Sequence, residues 1–457
     1  MEIFDAYRRY CESDPRYENI WNSRDGWFKL THVCRSWRRL VHLSPSRLHV
    51  HLLFTPRRSS KALLLKNLPP FLILVDYRNA KWTKREVSRV LAALKPRGRV
   101  RGISLGTKLP AETTEVFGAL SRPFPELESL EICSNLRDYM PPATSLLGSA
   151  SCLRRLKLRV DEPSSLSPLL SNVTGLVELA LTLRVPLNTL PEESLLADLQ
   201  RMSCLRRLEL RLTYLHWHHS VLSNSPQPPA RTGDVVTLPN LTQLVFTGPH
   251  IYLEALVDVL AAPSLQHLDT ELTDEPETDS FPLPHLCRFI CNTENQFSLV
   301  RLDLSTSQLR FTAETRSKSV HAQSFRIIVP RHIWLVEIGS RLSGPLATVE
   351  ELVIVWNNTR DRRGIQWGGF FNHLRQVKAL QVPCQLALGV ARSFQQDGQE
   401  PTMDLLPALE QVHMDMDMTQ FLPPSLRQNS QDDLTNAFEP LIAARRKVGR
   451  PIMLSFM

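Results

Sequence analysis

The chain has 457 residues, 42% of them hydrophobic, with a formal net charge of +8 at pH 7. An apolar share of that size excludes a disordered or collagen-like chain and allows a large buried core. The charge is uneven: residues 1–100 hold 21 Lys and Arg against 8 Asp and Glu, so the remainder is net acidic. A basic N-terminal quarter suits an acidic protein surface or nucleic acid, and no nucleic-acid-reading motif accompanies it. The sequence opens without a basic region leading into an apolar run, and no stretch of roughly 18 apolar residues follows. These features predict a soluble intracellular protein, cytoplasmic and/or nuclear. The eight cysteines are scattered, and Cys133, Cys152 and Cys204 fall in or beside predicted strands, where reduced thiols pack as small hydrophobes.

The first segment, through residue 55, reads as helical. Ile3, Phe4, Tyr7 and Cys11 recur at helical spacing, and after a polar loop Leu30, Val33, Cys34, Trp37, Leu40 and Val41 form an apolar stripe one helix face wide. Leu48, Val50, Leu52 and Phe54 then alternate as a half-buried strand, and Phe71–Val75 is a second strand with no polar interruption. Thr83 and Glu86 form a capping-box pair ahead of the helical face Val87, Val90, Leu91 and Leu94. Val100, Ile103 and Leu105 supply the next strand.

From there one unit recurs. Cys152-Leu-Arg-Arg-Leu-Lys-Leu-Arg-Val160 is almost repeated by Cys204-Leu-Arg-Arg-Leu-Glu-Leu-Arg-Leu212. The same Leu-x-x-Leu-x-Leu spacing occurs at Leu127/Leu130/Ile132, Leu176/Leu179/Leu181, Leu241/Leu244/Phe246, Leu299/Leu302/Leu304, Val349/Leu352/Ile354, Val377/Leu380/Val382 and Leu409/Val412/Met414. Leu265/Leu268 and Leu286/Phe289 are weaker copies. This is the pattern of a leucine-rich repeat, with a spacing near the ~20–29 residues of that class. Pro125, Pro239, Pro263 and Pro284 each precede a predicted strand. Asn135, Asp161, Thr213, Ser307, Asn357 and Asp417 fall where a polar side chain serves the turning backbone. Helical faces are predicted over Leu195, Leu196, Leu199 and Met202, and over Leu253, Leu256, Val257 and Leu260.

Two regions break the rhythm. His216-Trp-His-His219 leads into a Pro- and Ser-rich loop; a metal reading is weighed there against a surface loop, and His285, Cys287 and Cys291 lack a fourth ligand, so no metal is assigned. Near 297–330 the apolar clusters follow too closely for intervening helices, which predicts a small antiparallel insertion. A helix from Asp432 to Val448, with Arg445, Arg446 and Lys447 complementing its dipole, and a strand ending at Phe456 cap the array. The predicted architecture is an α/β solenoid: a helical segment at 1–55, then an irregular leucine-rich-repeat arc over 56–457.

The first segment resembles a known family. The Ile3-Phe4 pair, then Val33-Cys34-Arg35-Ser36-Trp37-Arg38, then Ser44-Pro45 and Leu48, look like the F-box, the helical module that docks on the Skp adaptor of cullin ubiquitin ligases. The string running into Ser-Pro-Ser-Arg-Leu-His-Val-His-Leu is similar to F-box-like proteins abundant in fungi, in which a degenerate leucine-rich array follows the box. The family's box opens with Leu-Pro a few residues before Ile-Phe; that pair is missing here, so the box is read as N-terminally truncated. The resemblance implies that Ile3, Phe4, Leu30, Val33, Cys34, Trp37 and Leu40 contact the adaptor, and through it a cullin, while the array holds a protein target. A repeat scaffold without a ubiquitin role is the alternative.

No phosphate loop, dinucleotide fingerprint, His-Glu-x-x-His or nucleophile elbow is present. A non-catalytic receptor without catalytic residues or cofactor is therefore expected. Residues between the buried leucines should project from the concave face, so Arg155, Lys157, Arg159, Arg207 and Arg211, set against Glu178 and Glu209, are the predicted seat for an acidic or phosphorylated target.

Overall fold

A computed structural model describes residues 33–43, 51–54, 72–78, 82–106, 114–133, 150–160, 166, 170, 173–185, 193–214, 235–273, 283–293, 296–305, 308–315, 323–329, 335–356, 365–395, 404–416 and 424–457. The chain divides into two compact units, Met1–His219 and Ser220–Met457.

In the first unit, helix α1 (Arg35–Leu43) precedes strands β1 (His51–Phe54) and β2 (Leu72–Tyr77), helix α2 (Lys84–Leu94), β3 (Val100–Leu105), α3 (Thr114–Leu120), β4 (Ser129–Ile132), β5 (Arg155–Val160), β6 (Glu178–Val185), α4 (Glu193–Gln200) and β7 (Arg207–Tyr214). The seven strands pair parallel in chain order. Parallel neighbours need a crossover connection, which explains why strand and turn-or-helix alternate along the sequence. Alternate strand residues, such as Leu156, Leu158 and Val160 of β5, are buried, while those between them face outward. At α2 the Thr83 hydroxyl accepts the Glu86 N–H at 3.3 Å. The Glu86 carboxylate pairs with Arg89 in the next turn.

The turn entering each strand has a fixed design. The first apolar residue donates its N–H to the carbonyl three residues earlier, as Leu127 to Phe124, Leu153 to Ala150, Leu205 to Met202, Leu241 to Leu238, Leu265 to Ala262, Val349 to Leu346 and Leu409 to Leu406. All seven acceptor residues are buried. The strand begins two residues after that first position, and one carbonyl per coil accepts two amides from the next: Glu128 takes Arg154 and Arg155, Arg154 takes Val177 and Glu178, Val177 takes Arg206 and Arg207. These bonds satisfy backbone groups that the buried turn removes from water.

The second unit runs β8 (Val236–Thr237), β9 (Gln243–Gly248), α5 (His250–Val259), β10 (Leu260–Ala261), β11 (His267–Leu272), α6 (Pro284–Cys291), β12 (Leu299–Leu304), β13 (Leu309–Glu314), β14 (Ser324–Val329), α7 (Leu335–Arg341), α8 (Ser343–Leu346), β15 (Glu351–Trp356), α9 (Trp367–Phe371), β16 (Ala379–Pro383), α10 (Cys384–Ser393), β17 (Gln411–Asp415), α11 (Pro424–Lys447) and β18 (Met453–Phe456). Its strand order is β9-β11-β14-β13-β12-β15-β16-β17-β18, with β8 and β10 paired separately. Among the described strands only β13 runs antiparallel, to both its neighbours. The meander β12-β13-β14 is built into the parallel sheet: β14 lies beside β11 and β12 beside β15, both parallel. Its connections, 305–308 and 315–323, are too short for a crossover helix, so the chain reverses instead.

Several sequence expectations need correction. Leu286 and Phe289 are not a strand pair but the buried side of α6, with Pro284 in its first turn, where a missing N–H costs nothing. The Glu254 carboxylate of α5 caps that helix by accepting the His285 and Leu286 N–H groups, both at 2.8 Å. At β12 the first position is Phe297, not Leu299: Phe297, Val300 and Leu302 are buried, and Leu299 pairs with Glu351 two residues past Val349. Leu260 belongs to β10 and not to the helix before it. Cys204 is exposed and Cys133 and Cys152 half-buried, because they occupy turn and strand-exit positions outside the alternating core. Of the polar turn residues Thr213 alone is among those described, and its hydroxyl donates to the Leu183 carbonyl at 3.3 Å; Asn135, Asp161, Ser307, Asn357 and Asp417 lie outside them.

The last helix starts earlier than expected, at Pro424, and Arg445 is not a solvated cation at its end. It is 1% exposed, and its guanidinium donates to the carbonyls of Pro407 at 2.7 Å and of Leu405 and Leu406 at 3.0 Å. Burial lowers its pKa. The helix stops through Gly449, at φ 74°, with the Arg450 N–H bonded to Arg445 O and the Gly449 N–H to Arg446 O. That crossed pair closes a helix on a left-handed residue, a conformation glycine adopts freely.

Candidate functional site

The outward face of β4 to β7 collects the cationic residues singled out from the sequence. Backbone register aligns them in rows: Ser129, Arg155, Glu178 and Arg207; then Glu131, Lys157, Ala180 and Glu209; then Arg159, Thr182 and Arg211. Adjacent parallel strands stand roughly 4.8 Å apart, so each row is a line of neighbours. Alternation sets this face: Leu156 and Leu158, Leu179 and Leu181, Leu208 and Leu210 turn inward, and whatever lies between them turns out.

Glu131, on the strand before the predicted patch, changes its balance by approaching the Lys157 ammonium at 3.0 Å. The Leu130/Ile132 pair already marked Glu131 as outward, so the signal was present one coil upstream. Glu209 takes Arg207 at 3.2 Å and Arg211 at 2.8 Å. Burial pushes the Glu209 carboxyl up, but its two arginine partners outweigh that and hold it below the usual carboxylate range. Glu131 is likewise raised by burial and brought below its ordinary value by Lys157, Cys133 and Arg78.

Arg155 and Arg159 have no ion pair among the described residues, and the Arg159 Nε–H is buried without a hydrogen-bond partner. The second unit differs: Arg326 pairs with Asp269 on the adjacent strand, and Arg301 and Arg310 with Asp303. Between the first two rows the surface dips into a depression of about 250 Å³ lined by Arg155, Lys157, Glu178, Ala180, Arg207 and Glu209. The small Ala180 side chain, between Lys157 and Glu209 in register, leaves that space open.

The depressed pKa values give these carboxylates a definite pH signature. A carboxyl held below its unfolded value contributes stability that is complete above the unfolded pKa and lost as pH falls through the folded one. Acidification through the carboxylate range should therefore lower the melting temperature of the chain. Glu209→Gln should flatten that part of the profile in calorimetry.

No family model and no curated protein matches this chain. Among solved structures it is similar to the leucine-rich repeat-containing protein LegL7 from Legionella pneumophila, at 12% identity and a TM-score of 0.27, over 69% of this chain and 82% of that one. The repeat architecture rests instead on the strand register and the recurring turns of the chain itself.

Of the residues expected to contact an adaptor, Ile3, Phe4 and Leu30 lie outside the described residues, as does the side chain of Leu40. Val33 and Cys34 are exposed ahead of α1 and Trp37 is half-buried on it, its backbone N–H directed at the Cys34 thiol at 3.5 Å. Leu43 closes the same helix at 71% exposure. The histidine string at 216–219 is outside the described residues. The other suggested metal set is otherwise engaged: His285 Nδ1 sits 2.6 Å from Asp258, Cys287 is buried, and the Cys291 thiol points at the Arg341 carbonyl. Burial pushes the Cys287 thiol up to about 12, which leaves it protonated and a poor ligand at neutral pH. Among the described residues no helix is long and apolar enough to cross a membrane.

Proposed function

We propose that this chain is a repeat-based protein-interaction receptor whose outward face over β4 to β7 holds a partner protein. The observation that carries the reading is the pair of cations Arg155 and Arg159, without an ion pair among the described residues, one of them with a buried donor that lacks a partner.

The finer reading draws on the residue resemblance. In it, residues 1–55 dock on a Skp adaptor, and through it a cullin, and the array holds the substrate of a ubiquitin ligase. The receptor then supplies effective concentration, bringing a target lysine to the ubiquitin thioester, and contributes no reacting group. Val33, just ahead of α1, is 59% exposed, and Leu43, the last residue of that helix, is exposed as well, which supports this reading by leaving apolar surface to a partner.

Reversing Arg155, Arg159 and Arg207 to Glu in the full chain tests the receptor face. Cross-linking mass spectrometry should show partners attached through β4 to β7 in the native chain and lost from the triple variant, with melting unchanged. An identical set of partners and cross-links in both proteins would remove the face from consideration.

A further inference from the structure

The receptor reading supports a narrower assignment, the chemistry of the segment held. The row of Glu131, Lys157, Ala180 and Glu209 supplies the carboxylates that engage Lys157, Arg207 and Arg211. The row of Arg159, Thr182 and Arg211 holds two guanidiniums and a hydroxyl and no carboxylate. Its cations stand on either side of Thr182, roughly 10 Å apart across the intervening strand, so their side chains can close on one oxyanion above the hydroxyl. Guanidinium groups match carboxylate and phosphate through paired N–H donors.

A second cation lies along the same strand. Arg155 is four residues before Arg159, roughly 13 Å away at the rise of an extended strand. Between these two points is the depression over Ala180, whose walls carry both signs and so suit an uncharged side chain. A bound chain in extended conformation has the same rise. It would meet the face with an acid, an uncharged residue two positions on, and an acid two beyond that. Glu178, Glu131 and Glu209 stand among the cations and oppose the unbroken charge of a nucleic-acid backbone, which favours spaced acids on a protein.

We propose that this face recognises an extended protein segment bearing two acidic groups four residues apart, the first seated by Arg159, Thr182 and Arg211 and the second by Arg155. The test is fluorescence anisotropy of the full-length chain with a labelled Gly-Asp-Ser-Val-Ser-Asp-Gly peptide. An isomer with adjacent Asp residues, a version with phosphoserine at both acid positions and an unlabelled oligouridylate competitor complete the set. The spaced peptide should bind saturably and weaken with added salt. Affinity should fall about tenfold or more on Arg159→Gln, less on Thr182→Val, and also for the adjacent-acid isomer. Tighter binding of the phosphoserine version identifies phosphate as the source; equal or weaker binding identifies carboxylate. Should Arg159→Gln lower the melting temperature, Arg211→Gln, exposed on β7, replaces it. No saturable binding of either spaced peptide overturns the proposal, as does affinity indifferent to both Arg variants or full displacement by oligouridylate. Adaptor binding measured on the same preparation separates the two levels. A chain that binds adaptor but no peptide sinks this assignment alone, and one that binds peptide but no adaptor sinks the ligase reading alone.

Discussion

Arg445→Met should lower the unfolding free energy of the second unit by roughly 3 kcal/mol or more, read by denaturant titration. The side chain is as buried as a core leucine, yet its partners are three successive carbonyls, Leu405, Leu406 and Pro407. Methionine fills similar space but leaves those acceptors without a donor, and an unsatisfied buried polar group costs about 1–3 kcal/mol each. The loop adds to the loss, because Leu406 sits at φ 48°, a left-handed conformation that a branched side chain adopts only when its surroundings impose it. Leu406 O is also the acceptor that starts β17, through the Leu409 N–H. Arg445→Lys keeps the charge and loses the planar fork, so it should recover only part of the stability.

Gly106→Ala should cost roughly 2–4 kcal/mol. A Cβ added at Gly106, just past β3, would fall 1.8 Å from the Arg78 carbonyl oxygen, with more of the Arg78 backbone within 3 Å. The neighbour is main chain, so no rotamer change relieves the clash. The Gly106 N–H bonds to the Tyr77 carbonyl at 3.2 Å, so moving either segment disturbs the β2–β3 junction as well. Gly118→Ala gives the opposite sign. It lies in α3 with nothing within 4 Å of its added Cβ, and alanine should stabilise the helix by about 0.5–1 kcal/mol. Two chemically identical substitutions of opposite sign in the same unit, compared by thermal melting, isolate close backbone approach from propensity.

The repeat strands were legible because a period of two with one buried face is a local property: Leu156, Leu158 and Val160 announce β5 without reference to any other coil. The outward row followed from the same alternation. The register that places Arg159, Thr182 and Arg211 in line follows from equal turn lengths into each strand, and the turn's own mark, a buried residue three before the first leucine, is present at Phe124, Ala150 and Met202. Leu286 and Phe289 misled because a three-residue step belongs to both a helix and the start of a repeat, and Pro284 precedes either one. Phe297 escaped because Leu299, Leu302 and Leu304 satisfy the same spacing two residues later. Arg445 and Gly106 could not be read at all: each is fixed by backbone atoms from a distant or neighbouring coil, and no spacing records where those atoms arrive.

On the proposed function, the chain joins an adaptor, through its first segment, to a target on its array. Isothermal titration of the purified full chain with a purified Skp adaptor tests this most directly, alongside Trp37→Ala, whose truncation removes the half-buried ring of α1. Saturable one-to-one binding is expected of the native chain, with a loss of at least about tenfold in affinity for Trp37→Ala while the melting of the array is retained. A folded native chain that releases no heat and shows no association with the adaptor would contradict it.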